Sequence, residues 1–209
     1  MSKNKNNINT LIKNNNLLVD EINQYLHNEG IEFSNRLNII INILNYKFMG
    51  ITLNINENLK KKIIDIIDNV SINKSEIYQK IFMFYADKKT KINLDQYYTP
   101  ITIGTFINSL CISEKTHIDP ACGTGDLIIN YKGQVTLWDI SNEIIEICEL
   151  NCILHNKTYI TKCINSIENY NKDNEKYDYA SVNPPFGSNT VIQDEKILEN
   201  YVLGKNKKK

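Results

Sequence analysis

Arginine is almost missing from this chain of 209 residues, where Arg36 is the single example. Bidentate guanidinium clamps on phosphate are therefore scarce, and such contacts fall to lysine. Net charge is missing too: Lys and Arg total 24, and Asp and Glu total 24. That balance excludes a globally basic nucleic-acid coat and leaves room only for a local basic stripe. No run of about eighteen apolar residues occurs, so no membrane-spanning helix is expected. The N-terminus is rich in Lys and Asn without an apolar signal core, so export is not expected and the chain reads as cytoplasmic. The five cysteines, Cys111, Cys122, Cys148, Cys152 and Cys163, contain no C-x-x-C pair and no His partner at ligand spacing. They read as thiols of a reducing compartment, and no metal site is expected.

What is present is a hydrophobic fraction of 42%, enough for a sizeable core and too much for a wholly disordered chain. Asn, Ile and Lys are over-used in the manner of AT-rich coding, so a cluster such as Asn14-Asn15-Asn16 need not mark a turn. Residues 1–95 contain two glycines, Gly30 and Gly50, and no proline. Apolar residues there recur at helical spacing in four stripes. The first is Leu11, Leu18, Ile22, Tyr25 and Leu26; the second is Leu37, Ile40, Ile41, Leu44 and Phe48. The third is Leu59, Ile63, Ile66, Ile67 and Val70; the fourth is Ile77, Ile81, Phe82 and Tyr85. Four helices follow, with Ser34 and Ser75 placed to cap two of them. The Lys-rich stretch 87–93 reads as a linker.

Beyond it the pattern changes. Strands are expected over 116–119, 135–139, 158–163 and 177–182, with helices over 100–111, 126–131 and 142–154. Alternating strands and helices imply βαβ units and a parallel sheet covered on both faces. The fold class is therefore α/β: a helical module over residues 1–92, then a Rossmann-like domain over 93–209 that contains its first four parallel strands.

Four segments carry chemistry. Asp119-Pro120-Ala121-Cys122-Gly123-Thr124-Gly125-Asp126 follows a strand and opens an expected helix. Gly123 and Gly125 let a ligand approach the backbone where a Cβ would collide. The third glycine of a dinucleotide fingerprint and the G-K-[ST] of a P-loop are both absent. Asp126, expected in the first helical turn, suits the helix dipole but repels phosphate, so the turn fits a ligand without a diphosphate. Asp139 ends the second strand, where a carboxylate can accept both ribose hydroxyls, and Ile140 beside it can cover a ring; an N-cap role for Asp139 stays open. Asn183-Pro184-Pro185-Phe186 follows the fourth strand. Its prolines remove backbone donors and stiffen the corner. Asn183 offers a neutral acceptor and Phe186 a stacking face, which together suit a planar exocyclic amine. Gln96-Tyr97-Tyr98-Thr99-Pro100, read by itself, is only a helix start.

In this order the four segments resemble the amino-methyltransferases that act on DNA adenine. The likeness is to the gamma-ordered group that includes modification subunits of type I restriction systems. In that group Q-[FY]-[FY]-T-P precedes D-P-A-C-G-T-G, and N-P-P-[FY] follows; the likeness covers residues 92–209. It implies S-adenosylmethionine as cofactor and double-stranded DNA as substrate, with specificity and restriction subunits as partners. Tyr98, Thr99 and Pro100 would close over the methionine part, with Thr99 at its carboxylate. Asp119, Ala121, Gly123 and Gly125 would line the cofactor, Asp139 would hold its ribose and Ile140 its adenine. Asn165 stands where the family commonly has an Asp that reads the cofactor's amine. Asn183 and the Pro184 carbonyl would bind the target amine in the rigid corner completed by Pro185, and Phe186 would stack on the target base.

The resemblance also carries a departure. Only 23 residues follow Phe186, where the gamma order places further strands and the target-recognition region. The chain is therefore expected to be an N-terminal fragment with little methylation of its own, calling for a complementing C-terminal polypeptide. No E-x-K follows a suitable Asp in the N-terminal region, so a fused nuclease is not expected. Methylation of RNA bases or of protein glutamine is the rival chemistry, since both use N-P-P-[FY]; a non-catalytic interaction subunit or remnant is the rival class.

Overall fold

Helix-forming sequence without proline opens the chain, and the computed structural model accordingly begins in helices. It describes residues 17–52, 54–70, 73–93, 99–169, 176–185 and 192–202, with the side chains of 79, 83 and 86–93 left aside. The chain divides into two compact units. One comprises residues 1–94 with 150–156, the other 95–149 with 157–209.

In the first unit, residues 17–28 form α1, followed by α2 (Phe33–Met49), α3 (Glu57–Asn69) and α4 (Lys74–Asn93). The expected stripes supply its core. Leu18, Ile22 and Leu26, Ile40 and Leu44, Ile63 and Ile66, and Ile81 and Tyr85 are all buried. Ile43 and Tyr78 join them from outside the stripes; Leu11 lies outside the described residues. The single arginine is structural. Arg36 is buried, and its Nη1 donates to Asn23 Oδ1 at 2.6 Å while Nε donates to the Ile31 carbonyl at 2.9 Å. These bonds tie α2 to α1 and to the turn between them.

Three local expectations are corrected. Ser34 and Ser75 lie inside α2 and α4, one residue past each helix start, and do not occupy the cap positions. The cap position of α2 is Glu32, without a side-chain bond. A side-chain cap in this unit is Asn56 of α3, whose Oδ1 accepts from Asn58 N at 2.9 Å and Leu59 N at 3.2 Å. Residues 87–93 are not a linker but the last turns of α4, since three lysines favour helix and no Gly or Pro stops it there.

The second unit holds α5 (Ile101–Ser109), β1 (Thr116–Asp119), β2 (Gln134–Asp139), most of α6 (Asn142–Leu154), β3 (Tyr159–Cys163), β4 (Tyr179–Ala180) and α7 (Glu195–Leu198). The strands form one parallel sheet in the order β3-β2-β1-β4. β1 and β2 are buried along nearly their whole length, as a parallel sheet between layers requires. β4 is shorter than expected, although Asp178 N and Ser181 N extend its ladder to the Thr116 and Ile118 carbonyls at 3.1 and 3.0 Å.

Residues 126–131 are not a helix. They run as consecutive turns, with Ile128 N bonding the Gly125 carbonyl and Tyr131 N the Ile128 carbonyl. The following Gly133 presses so close to the Lys115 carbonyl that a Cβ would stand 2.2 Å away. The sequence gives no sign of the short α7, which Asp194 caps through Lys196 N at 2.9 Å.

Candidate active site

In a parallel sheet all strand ends of one sense lie on one edge, so Asp119, Asp139, Asn165 and Asn183 leave the sheet on the same side. The chain winds outward from β1 to β2 to β3 and then returns past β1 to β4. The winding direction thus reverses between β1 and β4, and ligands of open α/β sheets bind at such a reversal, beyond the carboxyl ends of the strands.

The glycine turn after β1 is braced from both sides. Asp119 Oδ1 accepts from Ala121 N at 3.1 Å, and Cys122 N donates to the Trp138 carbonyl at 2.8 Å. Gly123 and Gly125 have φ values of +53° and +84°, which explains glycine at both. A Cβ on Gly123 would meet nothing within 4 Å, so that backbone is open to a ligand; on Gly125 it would stand 2.9 Å from Cys148 Sγ.

Asp139 connects the second strand to this turn. Its Oδ2 accepts from Gly123 N at 3.1 Å and its Oδ1 from Ser141 N at 2.9 Å. The position that caps α6 belongs instead to Ser141, whose Oγ accepts from Ile144 N at 3.4 Å. The N-cap reading of Asp139 is thereby removed. Asp119 is almost wholly buried. Burial, and then the neighbouring Asp139 charge, push its carboxyl up to about 7 against the opposing Ala121 N–H. Ile140 stands exposed beside Asp139.

At the β4 end, Asn183 Nδ2 donates to Thr99 Oγ1 at 3.3 Å, which brings together two segments separated by 84 positions. Pro100 occupies the N-cap position of α5, and Pro184 and Pro185 are exposed. Asn165 turns its Oδ1 onto Ile167 N at 3.1 Å and Glu168 N at 3.4 Å, closing the turn after β3. Tyr98 and Phe186 lie outside the described residues.

Several polar contacts were not foreseen. Asp126 is not in a helical turn facing a ligand: it is buried and accepts from Thr124 Oγ1 at 2.6 Å. Its spacing two residues from Thr124, inside a turn, was the available signal. His117 Nε2 lies 2.9 Å from Ser181 Oγ and pins β1 to β4 just below the two strand tips. Burial lowers His117 to about 4, so the ring is neutral at pH 7. Cys122 and Cys148 approach to 3.9 Å between sulfurs beneath the glycine turn. Among the described residues no three His, Cys, Asp or Glu side chains converge as a metal site would need, and no helix is long and apolar enough to cross a membrane.

Residues 73–209 match the family model described as N-6 DNA methylase. Among solved structures, the chain is similar to one from Listeria monocytogenes described as a class I S-adenosylmethionine-dependent methyltransferase. Identity is 18% and the TM-score 0.68, over 93% of this chain and 64% of that one. It is also similar to a chain from Vibrio vulnificus described as a modification subunit of a type I restriction enzyme. Here identity is 20% and the TM-score 0.55, over 76% of this chain and 38% of that one. At these identities the likenesses carry the fold. The chain spans less than two thirds of the length of either structure. No curated protein matches it.

Proposed function

The chain belongs to the N-6 DNA methylase family, and from that premise we propose that it transfers a methyl group from S-adenosylmethionine to the exocyclic nitrogen of an adenine extruded from DNA. The observation that carries this reading is the juxtaposition of an Asp139-braced glycine turn after β1 with the Asn183 corner after the adjacent strand β4.

The residues fit the cofactor. The open backbone at Gly123 admits a ligand where a side chain would stand. Each Asp139 oxygen accepts one N–H and keeps a lone-pair site for a ribose hydroxyl. The exposed Ile140 covers the cofactor's adenine. Thr99 and Pro100, with Tyr98, would hold the methionine part, and Asp119, Ala121 and Gly125 would complete the lining. Asn165 would face the cofactor's amine only by releasing one of the two N–H bonds, from Ile167 and Glu168, that its Oδ1 now accepts. When bound, S-adenosylmethionine supplies an electrophilic methyl on a sulfonium.

The chain's own groups do the rest. The amine of adenine is a poor nucleophile because its lone pair is delocalised into the ring. Asn183 Oδ1 and the Pro184 carbonyl accept its two hydrogens and so favour charge developing on that nitrogen, a preorganised electrostatic effect. Fixed placement of nitrogen and methyl supplies much of the remaining rate. The proton leaves after the nitrogen has become cationic, so no strong base is required before attack. Pro185 stiffens the corner. A base inside a duplex cannot reach it, so the adenine is flipped out and Phe186 replaces part of its lost stacking.

In this reading residues 93–209 are catalytic and 1–92 form a helical module ahead of them, in a cytoplasmic assembly with specificity and restriction subunits or a complementing polypeptide. Calorimetry with S-adenosylmethionine tests the cofactor half. The full chain binds it, and Asp139→Ala weakens binding at least tenfold, as loss of charge-assisted bonds worth about 1.5–3 kcal/mol requires. Tritium from the labelled methyl that reaches any acceptor should be recovered as N6-methyladenine in DNA. Recovery in RNA or in protein glutamine would refute the adenine assignment.

A further inference from the structure

We propose that Thr99 is a positioning residue for Asn183, holding its carboxamide so that the oxygen and not the nitrogen faces the target amine. This deepens the adenine reading and rests on it. A carboxamide has two ends of nearly equal size, and rotation by a half turn about its last bond exchanges them. One orientation presents an acceptor to the amine of adenine, and the other presents donors to a donor. Recognition therefore needs something that breaks the symmetry. Thr99 Oγ1, 3.3 Å from Asn183 Nδ2, does so by accepting an N–H from the nitrogen end. Engaged there, the nitrogen leaves Oδ1 directed elsewhere as the free acceptor.

The hydroxyl can serve this purpose because α5 fixes it. The Pro100 carbonyl accepts from Ile103 N at 2.9 Å and Gly104 N at 3.2 Å, so the helix begins immediately after Thr99. Gly104 seats against the Asp126 and Leu127 carbonyls, where a Cβ would stand 2.7 and 2.9 Å away. Asn108 Nδ2 donates to the Leu127 carbonyl at 3.4 Å. Past the far end of α5, Ile112 N donates to Tyr179 Oη at 3.2 Å, and Ser113 Oγ lies 2.9 Å from the same oxygen. Tyr179 begins β4, the strand that delivers Asn183. One helix is thus anchored on the strand at one end and orients that strand's functional side chain at the other.

In the proposed site the hydroxyl of Thr99 donates its own hydrogen to the methionine carboxylate, so toward Asn183 it can only accept and selects the nitrogen end. The methyl group packs but cannot choose between carboxamide ends. Valine, which has the same shape without the hydroxyl, should therefore keep the fold and lose the orientation. Serine should keep the orientation.

The experiment measures binding of the full chain, saturated with S-adenosylhomocysteine to supply the carboxylate, to two labelled single-stranded oligonucleotides by fluorescence anisotropy. One contains a single adenine and the other has purine, which lacks the exocyclic amine, at that position; single strands bypass base extrusion. The wild type should prefer the adenine strand. Thr99→Val should lower that preference about fivefold, as loss of one net hydrogen bond implies, while the purine strand binds as before. Thr99→Ser should retain the preference, and thermal melting of both variants confirms folding. A Thr99→Val chain with undiminished preference, or one that weakens on both strands equally, would overturn the positioning role while leaving the adenine reading intact. A wild type with no preference would overturn the adenine reading, and the inference with it.

Discussion

Replacing Gly125 by alanine should destabilise the second unit by about 2–5 kcal/mol, and the structure divides that cost into two parts. The first is backbone strain: φ is +84°, and a residue with a Cβ in that region costs about 1–2 kcal/mol. The second is crowding. The new Cβ would stand 2.9 Å from Cys148 Sγ and 3.7 Å from Leu137 Cδ2, both in the buried core, where overpacking costs about 1–3 kcal/mol. Gly123 supplies the control. Its φ is +53° with nothing within 4 Å of the Cβ position, so Gly123→Ala carries only the strain, about 1–2 kcal/mol. Urea unfolding followed by Trp138 fluorescence isolates the measurement, because Trp138 is the single tryptophan and lies on β2 of this unit. Cys148→Ala removes the clashing sulfur, so the double variant should recover about 1–2 kcal/mol relative to additive single costs. Equal costs at Gly123 and Gly125, with strictly additive behaviour at Cys148, would refute the claim that the turn rests on that sulfur.

Two further outcomes follow from the charges and caps. Asp119 holds its proton to about pH 7 when folded, against 3.8 unfolded, so its contribution falls as pH rises through that window. His117, neutral when folded down to about 4 against 6.5 unfolded, works in the opposite sense, losing stability as pH falls from 6.5 to 4. The two slopes largely cancel, so Asp119→Asn should expose the His117 slope, a gain of up to about 3 kcal/mol from pH 4 to 6.5 in urea melts; a flat profile would contradict it. In the first unit, Asn56→Ala should cost about 1 kcal/mol by removing the acceptor of Asn58 N and Leu59 N. Far-UV circular dichroism on melting reads this loss, and no loss would mean the cap is not used.

The helices of the first unit were legible because burial is written in a period of 3.6, and Leu18, Ile40, Ile63 and Ile81 are buried where that period places them. The strands were legible as short β-branched runs, Thr116 and Ile118 in β1 and Val135 and Thr136 in β2, although both strands carry polar residues and are buried nearly throughout. Where the pattern was weak, boundaries slipped. Residues 126–131 are apolar enough for a helix yet run as turns, and the charged sequence of 87–93 fits a linker and a helix end alike. At the site, glycine identity announced the turn because a positive φ leaves few alternatives at Gly123 and Gly125. The pairings that organise it were not legible. His117 with Ser181 and Thr99 with Asn183 span 64 and 84 positions, and local sequence does not record which distant polar groups will meet.

The register of β1 with β2 spans four positions and that of β2 with β3 five, whereas β4 is held to β1 over two. Protection against amide exchange should fade in that order, with β2 opening last and the segment around Ser181 among the first. The glycine turn is thus rooted in the stiffest strands, while Asn183 rides on the margin that frays. A bond that steadies that margin should therefore raise amide protection around Ser181 while leaving that of β2 unchanged.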